Sequence, residues 1–335
     1  MTSRERVLAM LNGQPVDRLP AMPITMMFAA KLSGVPYREY ATQADLLAAG
    51  QLRVAEEFEI DHLNVMSDPA CEAADCGAAV VYSPNQPPAL DETNALLQDK
   101  AKLATLQVPN PTAGRMGNRL RVLELYRQHK HNRLVEGWIE GPCAEGADLR
   151  GINSLMMDFY DAPDFVRELF AFCNRMELAF AKEQVARGAE LIGVGDAAAS
   201  LVGPGIYREF VWPFKKELVD GLHRLGVKAR LHICGNITPL LADIGRLGFD
   251  IVDLDSMVPV AEARRLMGER QVLLGNMDPV RVLQNGTPAG VRSVVAECHR
   301  QAGARFIIGA GCEVPRDTPV ANFRALTHYA QEATC

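Results

Sequence analysis

The feature that most constrains this chain is an alternation. Short apolar runs end at Gly, Pro, Asp or Ser, and most are followed by a stretch of helical period. Residues 18–24, 62–66, 133–139, 190–194, 227–233, 250–254, 271–274 and 305–308 read as strands. Helical spacing covers 3–11, 43–58, 116–130, 164–187, 207–225 (interrupted by Pro213), 238–247, 260–267, 289–302 and 320–331. Eight strands mostly followed by helices predict an α/β chain, a parallel TIM (β/α)8 barrel. A doubly wound sheet would need a Gly-rich phosphate loop after an early strand, and the sequence has none. The 335 residues read as a single barrel domain with a short N-terminal helical extension and an insertion near 69–130. Within the insertion, 78–83 reads as a hairpin strand and 84–88 as a Pro-rich turn.

Composition narrows the class of partner. The chain is 48% hydrophobic and 23% charged, with a net charge of −6, so neither nucleic acid nor a membrane is expected as a partner. No apolar run approaches the roughly 18–20 residues that span a bilayer. Residues 1–6 lead into an amphipathic helix, not a signal peptide, and a cytoplasmic location is expected. Eight cysteines in a chain of this length read as reduced thiols, not a disulfide framework. Cys173 and Cys298 fall in helical patterns as small buried hydrophobes, and terminal Cys335 reads as inert. Cys71 and Cys76 form a minor candidate for a second metal site, with no His close by in sequence.

In a barrel the C-terminal strand ends form the active face. By that rule the site is lined by Asp68, Glu140, Asp196, His232, Cys234, Asp255, Asn276, Asp278 and Cys312. His232 and Cys234 are two apart at a strand end and point the same way. An imidazole and a thiol there suit zinc, and Cys312, just past the last strand, is a third donor with one position left open. The blander reading is a buried histidine beside two core cysteines. In the zinc reading, two thiolates and a neutral imidazole cancel the dication's charge. A substrate thiol in the open position would then lose its proton near neutral pH. The same Lewis acid would polarise a methyl-bearing heteroatom into a leaving group. Both are methyl-transfer chemistry.

The run Leu231-His232-Ile233-Cys234-Gly235-Asn236 together with Cys312 resembles the His-x-Cys…Cys zinc signature of methylcobalamin:coenzyme M methyltransferases. Gly275-Asn276-Met277-Asp278-Pro279 and the run 204–213 resemble segments found across the uroporphyrinogen decarboxylase superfamily. The chain is thus similar, over most of its length, to the corrinoid-dependent methyltransferase branch of that superfamily. The resemblance implies a barrel, a zinc site and a cobalamin carried by a separate small protein docking at the barrel mouth, or supplied free. No Asp-x-His-x-x-Gly cobalamin motif occurs in the chain itself. True decarboxylases carry an Arg-rich segment after the first strand to hold carboxylates. Here residues 22–31 hold no Arg, and their methionines and Phe28 read either as a ligand- or corrinoid-facing rim or as core.

The remaining candidates follow from position and resemblance. Asp255, with Asp253 as its same-face neighbour, fits the place of a fourth carboxylate ligand in distantly related zinc thiol-methylation sites. Glu140 is its rival, and Glu140 or Glu145 would alternatively orient substrate or act as a general acid. Asp196 ends the fourth predicted strand as a substrate-site candidate. Each acid is otherwise a helix cap or a loop charge. Asn276 and Asp278 are the cofactor-binding candidates, and Asn236 is either a helix cap or a ligand contact. The expected function is zinc-dependent methyl exchange between a corrinoid and a small thiol acceptor or a methoxy or methylamine donor. A porphyrinogen decarboxylase is the runner-up, and a non-catalytic zinc-binding scaffold the third reading.

Overall fold

The computed structural model describes residues 1–333, so Cys335 lies outside the described residues. The strands are β1 (His62–Asn64), β2 (Val80–Val81), β3 (Ala89–Leu90), β4 (Leu134–Glu140), β5 (Leu191–Gly195), β6 (Lys228–His232), β7 (Ile251–Leu254), β8 (Val272–Met277) and β9 (Phe306–Ala310). Seven of them form one parallel α/β sheet in the order β1-β4-β5-β6-β7-β8-β9, while β2 and β3 pair as an antiparallel hairpin. Every residue of β4, β5, β7, β8 and β9 is buried. Such strands read as continuous apolar runs because helices cover one face and the sheet's own interior the other.

Residues 18–24 do not form the predicted strand. The segment makes a single parallel bridge, Ala21 to Ile308. Pro20 and Pro23 flank it, and proline has no N–H for a ladder. What pairing survives uses the groups that remain. Met22 N–H donates to Ile308 at 2.9 Å, Ile308 N–H to the Pro20 carbonyl at 2.8 Å, and Asp61 N–H to the Ala21 carbonyl at 2.9 Å.

Other departures have local causes. Residues 26–32, most of them in the stretch read as either a rim or core, form the helix Met26–Leu32. Phe28 packs into the core with its ring 5.8 Å from Phe58 and 4.6 Å from Phe323. Pro213 lies where a π-helical turn, Tyr207–Val211, passes into the helix Trp212–Arg224, so the helical run continues across it. The helix expected over 238–247 shortens to a 3-10 turn and Leu241–Ile244. The region 69–130 holds the short helix Cys71–Asp75, the hairpin and the helix Gly114–Gln128.

Two glycines on β5 clear the interior for their neighbours on β4. Trp138 pairs in register with Gly193, and Glu140 with Gly195. A Cβ on Gly193 would lie 2.2 Å from the Trp138 ring, and one on Gly195 would lie 2.7 Å from Glu140 Oε2. Gly193→Ala is therefore expected to lower unfolding free energy by roughly 1–3 kcal/mol, because a fully buried indole has no free space to enter. A urea titration reads this as a lower midpoint at unchanged slope, and an unchanged midpoint would refute it.

Candidate metal centre and adjoining cleft

β6 carries Arg230 and His232 on one face, two residues apart. The chain leaves the strand at Ile233 and turns at Gly235, whose φ of +90° favours glycine. Asp255 fixes that turn by accepting Gly235 N–H at 2.8 Å, and its other carboxylate oxygen accepts Met257 N–H at 2.9 Å. Cys312 follows β9 through Gly311, where a Cβ would sit 2.5 Å from Ser256 N. Only glycine lets the two loops approach this closely.

These turns bring three donors together. His232 Nε2 lies 3.2 Å from Cys234 Sγ and 3.7 Å from Cys312 Sγ, and the sulfurs are 3.5 Å apart. Among the described residues this is the one set of three His, Cys, Asp or Glu side chains whose donor atoms all lie within 4.8 Å of one another. Behind it, His232 Nδ1 lies 2.9 Å from Asp253 Oδ2. A carboxylate on Nδ1 turns Nε2 toward the sulfurs, the usual backing of a metal-ligating histidine. The Cys234 thiol, opposed by burial and helped by His232, holds Cys312 down to about 4, as a thiolate. The same contact, with burial, pushes Cys234 up. Two soft sulfurs and one oriented imidazole in this geometry fit a zinc ion.

Asp253 is itself held. Arg230 Nη2 donates to it at 2.8 Å and Nε at 2.9 Å, while Nη1 reaches both Glu136 oxygens at 3.2 Å. Glu136 Oε2 also meets His62 Nδ1 and Asn64 Nδ2, each at 2.7 Å. Burial opposes the ionised form of both acids, but Arg230 keeps Glu136 and Asp253 below the usual carboxylate range. Sequence reading missed this chain of side chains. Its signal was present: Arg230-x-His232 on one strand faces Asp253 on the next, at the inward positions of both.

The other candidates fall in three places. Glu140, at the end of β4, accepts the Trp138 Nε1–H at 3.1 Å and faces a cleft. Burial, then the charges of Glu72 and Asp148, push it well above the usual carboxylate range. Asp196 is fully buried, 2.8 Å from Lys215 Nζ, and accepts Ala144 N–H at 2.7 Å, so it anchors the helix Pro142–Arg150. Asn276 donates to the carbonyls of Asp255 and Val258 at 3.0 and 2.6 Å, and Asp278 caps the turn after β8 through Val280 and Arg281 N–H. Both hold loops together. Asn236 accepts Thr238 N–H at 3.1 Å as a turn cap. Cys71 is buried, while Cys76 Sγ lies 3.3 Å from Met176 Sδ, so the pair does not converge on a metal.

A cleft lined by Glu140 and by Glu313, the residue after Cys312, measures about 630 Å3. Pro87, Pro88 and Ala89 wall one side, Ala144, Ala147 and Ile152 the other, and Glu313 closes the end next to Cys312. Glu313, another residue the sequence reading missed, accepts Met27 N–H at 2.6 Å, and burial pushes it up to about 8.

Residues 2–333 match the family described as "Uroporphyrinogen decarboxylase (URO-D)". The chain belongs to that family. Within the family it is 29% identical over 340 residues to a methylcobamide:CoM methyltransferase, MtbA, of Methanosarcina mazei, covering 98% of each chain. It is 23% identical to a uroporphyrinogen decarboxylase of Geobacter sulfurreducens, covering 89% of this chain and 90% of that one. A solved methyltransferase from Methanosarcina mazei superposes with a TM-score of 0.90 at 22% identity, covering 99% of both chains, and shares the fold. The resemblance read from the motifs is thereby borne out.

Two outcomes follow. Asp253→Asn is expected to weaken zinc binding roughly 10–100-fold, since the backing carboxylate is lost while the three donors remain. Competition with a chromogenic chelator measures this, and unchanged affinity would contradict it. The second concerns the buried acids. Glu72, Glu145 and Glu177 have carboxylate oxygens without hydrogen-bond partners, and burial lifts Glu72 from 4.5 to about 7 and the other two well above their usual range. An acid raised on folding contributes stability below its unfolded value that is lost as pH rises through the folded one, roughly 3 kcal/mol for Glu72. Stability should thus fall from about pH 5 to about pH 8, and fall less in Glu145→Gln. Urea unfolding at both pH values tests it, and equal slopes in variant and wild type would rule it out.

Proposed function

We propose that this chain is a zinc-dependent methyltransferase that exchanges a methyl group between a corrinoid and a small organic substrate. The observation that carries the reading is the donor set His232, Cys234 and Cys312, with Asp253 behind the imidazole and a cleft at its side. Zinc bound there would supply Lewis acidity, lowering the pKa of a thiol or activating a methyl-bearing heteroatom. The chain's own groups do the rest. Asp253 fixes the tautomer of His232, and Asp255 holds the turn that presents Cys234. Glu140, kept protonated by burial, has a proton to hold or give at the cleft wall, and Trp138 fixes one of its oxygens. Asp196 acts at a distance, through Ala144 and the helix it heads. Asn276 and Asp278 shape the loops at the end of β8.

The same reading takes the fold as a (β/α)8 barrel closed between β9 and β1 by the irregular segment 18–24. The hydrogen bonds from this segment to β9 and to Asp61, just before β1, support it. A corrinoid carried on a small protein would approach the strand C-terminal face. Exposed Met157, Tyr160, Leu201, Met257 and Val280 lie on segments that follow those strand ends, an apolar surface suited to docking. No helix of the described residues is long and apolar enough to cross a membrane. The two unpaired thiols 3.5 Å apart suit a reducing compartment such as the cytoplasm.

The decarboxylase and scaffold readings are weaker. A substrate with eight carboxylates needs cationic partners, and residues 22–31 supply none but Lys31, whose Nζ lies 2.5 Å from Asp317. A structural zinc site is closed by four protein ligands, whereas three converge here. The experiment is zinc analysis of the wild type and Cys312→Ala, combined with the absorbance change of methylcobalamin on demethylation by a panel of thiols, and of cob(I)alamin with methyl donors. The expected result is about one zinc per chain with methyl transfer in one direction, and both reduced at least 100-fold in Cys312→Ala. A wild type with no zinc, or with zinc but inert to both cobalamin forms, would sink the proposal.

A further inference from the structure

The cleft has a charge pattern that bears on the organic substrate. Its lining includes Glu92, Glu140, Asp148 and Glu313 and no Lys, Arg or His. Directly behind lie Glu72, Glu145 and Glu177, all fully buried, with oxygens that accept no hydrogen bond. Asp148 Oδ2, on the lining itself, is buried and unpartnered. Two guanidinium groups are near. Arg115 is engaged by Asp68 at 2.6 and 2.7 Å, and Arg119 donates to the Asp68 carbonyl while lying 3.7 Å from the Asp68 carboxylate and 3.8 Å from that of Glu72. The rest of the lining is alanine, proline, leucine, isoleucine, methionine and one glutamine.

An anion entering this space would leave water without meeting a cation, and would face up to four carboxyl groups. That loss of hydration has no charge partner in the lining to offset it. A cation meets the opposite situation. Burial pushes Asp148 and Glu145 well up, and a positive charge entering beside them would favour their ionised form. The volume of about 630 Å3 is that of a small-molecule pocket. Its ends are chemically distinct. Glu313 follows Cys312 directly, and Glu140 faces Gly195, which pairs in register with His232. Asp148 sits on the helix Pro142–Arg150, two turns beyond Glu140. A ligand with a reactive heteroatom at the metal end would place its other end against Asp148.

We infer that the organic methyl acceptor or donor of this enzyme carries a positively charged nitrogen, bound in the cleft against Asp148 and the acids behind it, and is not a sulfonate or carboxylate. The inference rests on the methyl-transfer reading and deepens it by naming the substrate class. It also separates this chain from relatives whose names specify CoM, a thiol bearing a sulfonate.

Two measurements test it independently. The first uses zinc-replete protein and no cobalamin. Calorimetry compares butyltrimethylammonium with butanesulfonate, and wild type with Asp148→Asn. The cation should bind at least 10-fold tighter than the sulfonate, and Asp148→Asn should weaken it about 10-fold. Equal or tighter sulfonate binding, no cation binding below about 50 mM, or a cation affinity indifferent to Asp148→Asn would each overturn the inference. The second compares 2-aminoethanethiol with 2-mercaptoethanesulfonate as methylcobalamin demethylating thiols. The aminothiol should show the larger kcat/KM. Equal or better reaction of the sulfonate would overturn the inference and leave the methyl-transfer reading standing. Selective cation binding with no cobalamin chemistry in either direction would leave the binding preference standing and remove the methyl-transfer reading.

Discussion

Arg230 lies wholly buried between Glu136 and Asp253, and the metal centre depends on that charge being matched from both sides. A lone buried guanidinium would cost more than the fold can spare, and so would either acid without it. Together they form a chain across the interior, from His62 on β1 through Glu136 on β4 and Arg230 on β6 to Asp253 on β7 and back to His232. Each link fixes the next. Removing one partner of such a pair typically costs 3–5 kcal/mol, far more than the pair contributes over a well-packed apolar substitute. The network therefore holds geometry more than it adds stability, and the geometry it holds is the direction of His232 Nε2.

How much of this was legible in the sequence depends on where the signal lies. Seven parallel strands were readable because most are short, largely apolar runs that end at turn residues. The eighth was overread because the two prolines in 18–24 look harmless in an apolar run but remove the donors a ladder needs. The metal donors were readable from local rules, same-face spacing for His232 and Cys234 and a strand end for Cys312. Asp253 obeyed the same rule and was passed over in favour of Asp255, since a carboxylate two residues later looks equally placed. Only the structure shows Asp255 accepting backbone N–H groups while Asp253 takes the imidazole. Of the buried acids the sequence singled out Glu145, as a substrate-orienting or general-acid candidate, but not the cluster it joins. Glu72, Glu145 and Glu177 sit on three separate helices, and on each helix alone an acid reads as solvent-exposed.

The two acidic regions are handled differently, and the contrast bears on function. Around Arg230 the charges are matched within the protein, and Glu136 and Asp253 stay ionised. Around the cleft they are not. Arg119 lies 3.8 Å from Glu72 but makes no hydrogen bond to it, and Arg115 is held by Asp68. Zinc at the candidate site would not close this gap, because a dication held by two thiolates and a neutral imidazole would carry no net charge into its surroundings. The acids of the cleft must then be neutralised by protons, by a bound cation, or by each in turn. A fold that arranged the first region so completely had the residues to arrange the second. Leaving it open places the missing positive charge on whatever enters the cleft. In the proposed reading this would orient the ligand, with its charge drawn toward Asp148 and its reactive atom toward Glu313, the lining residue that follows Cys312.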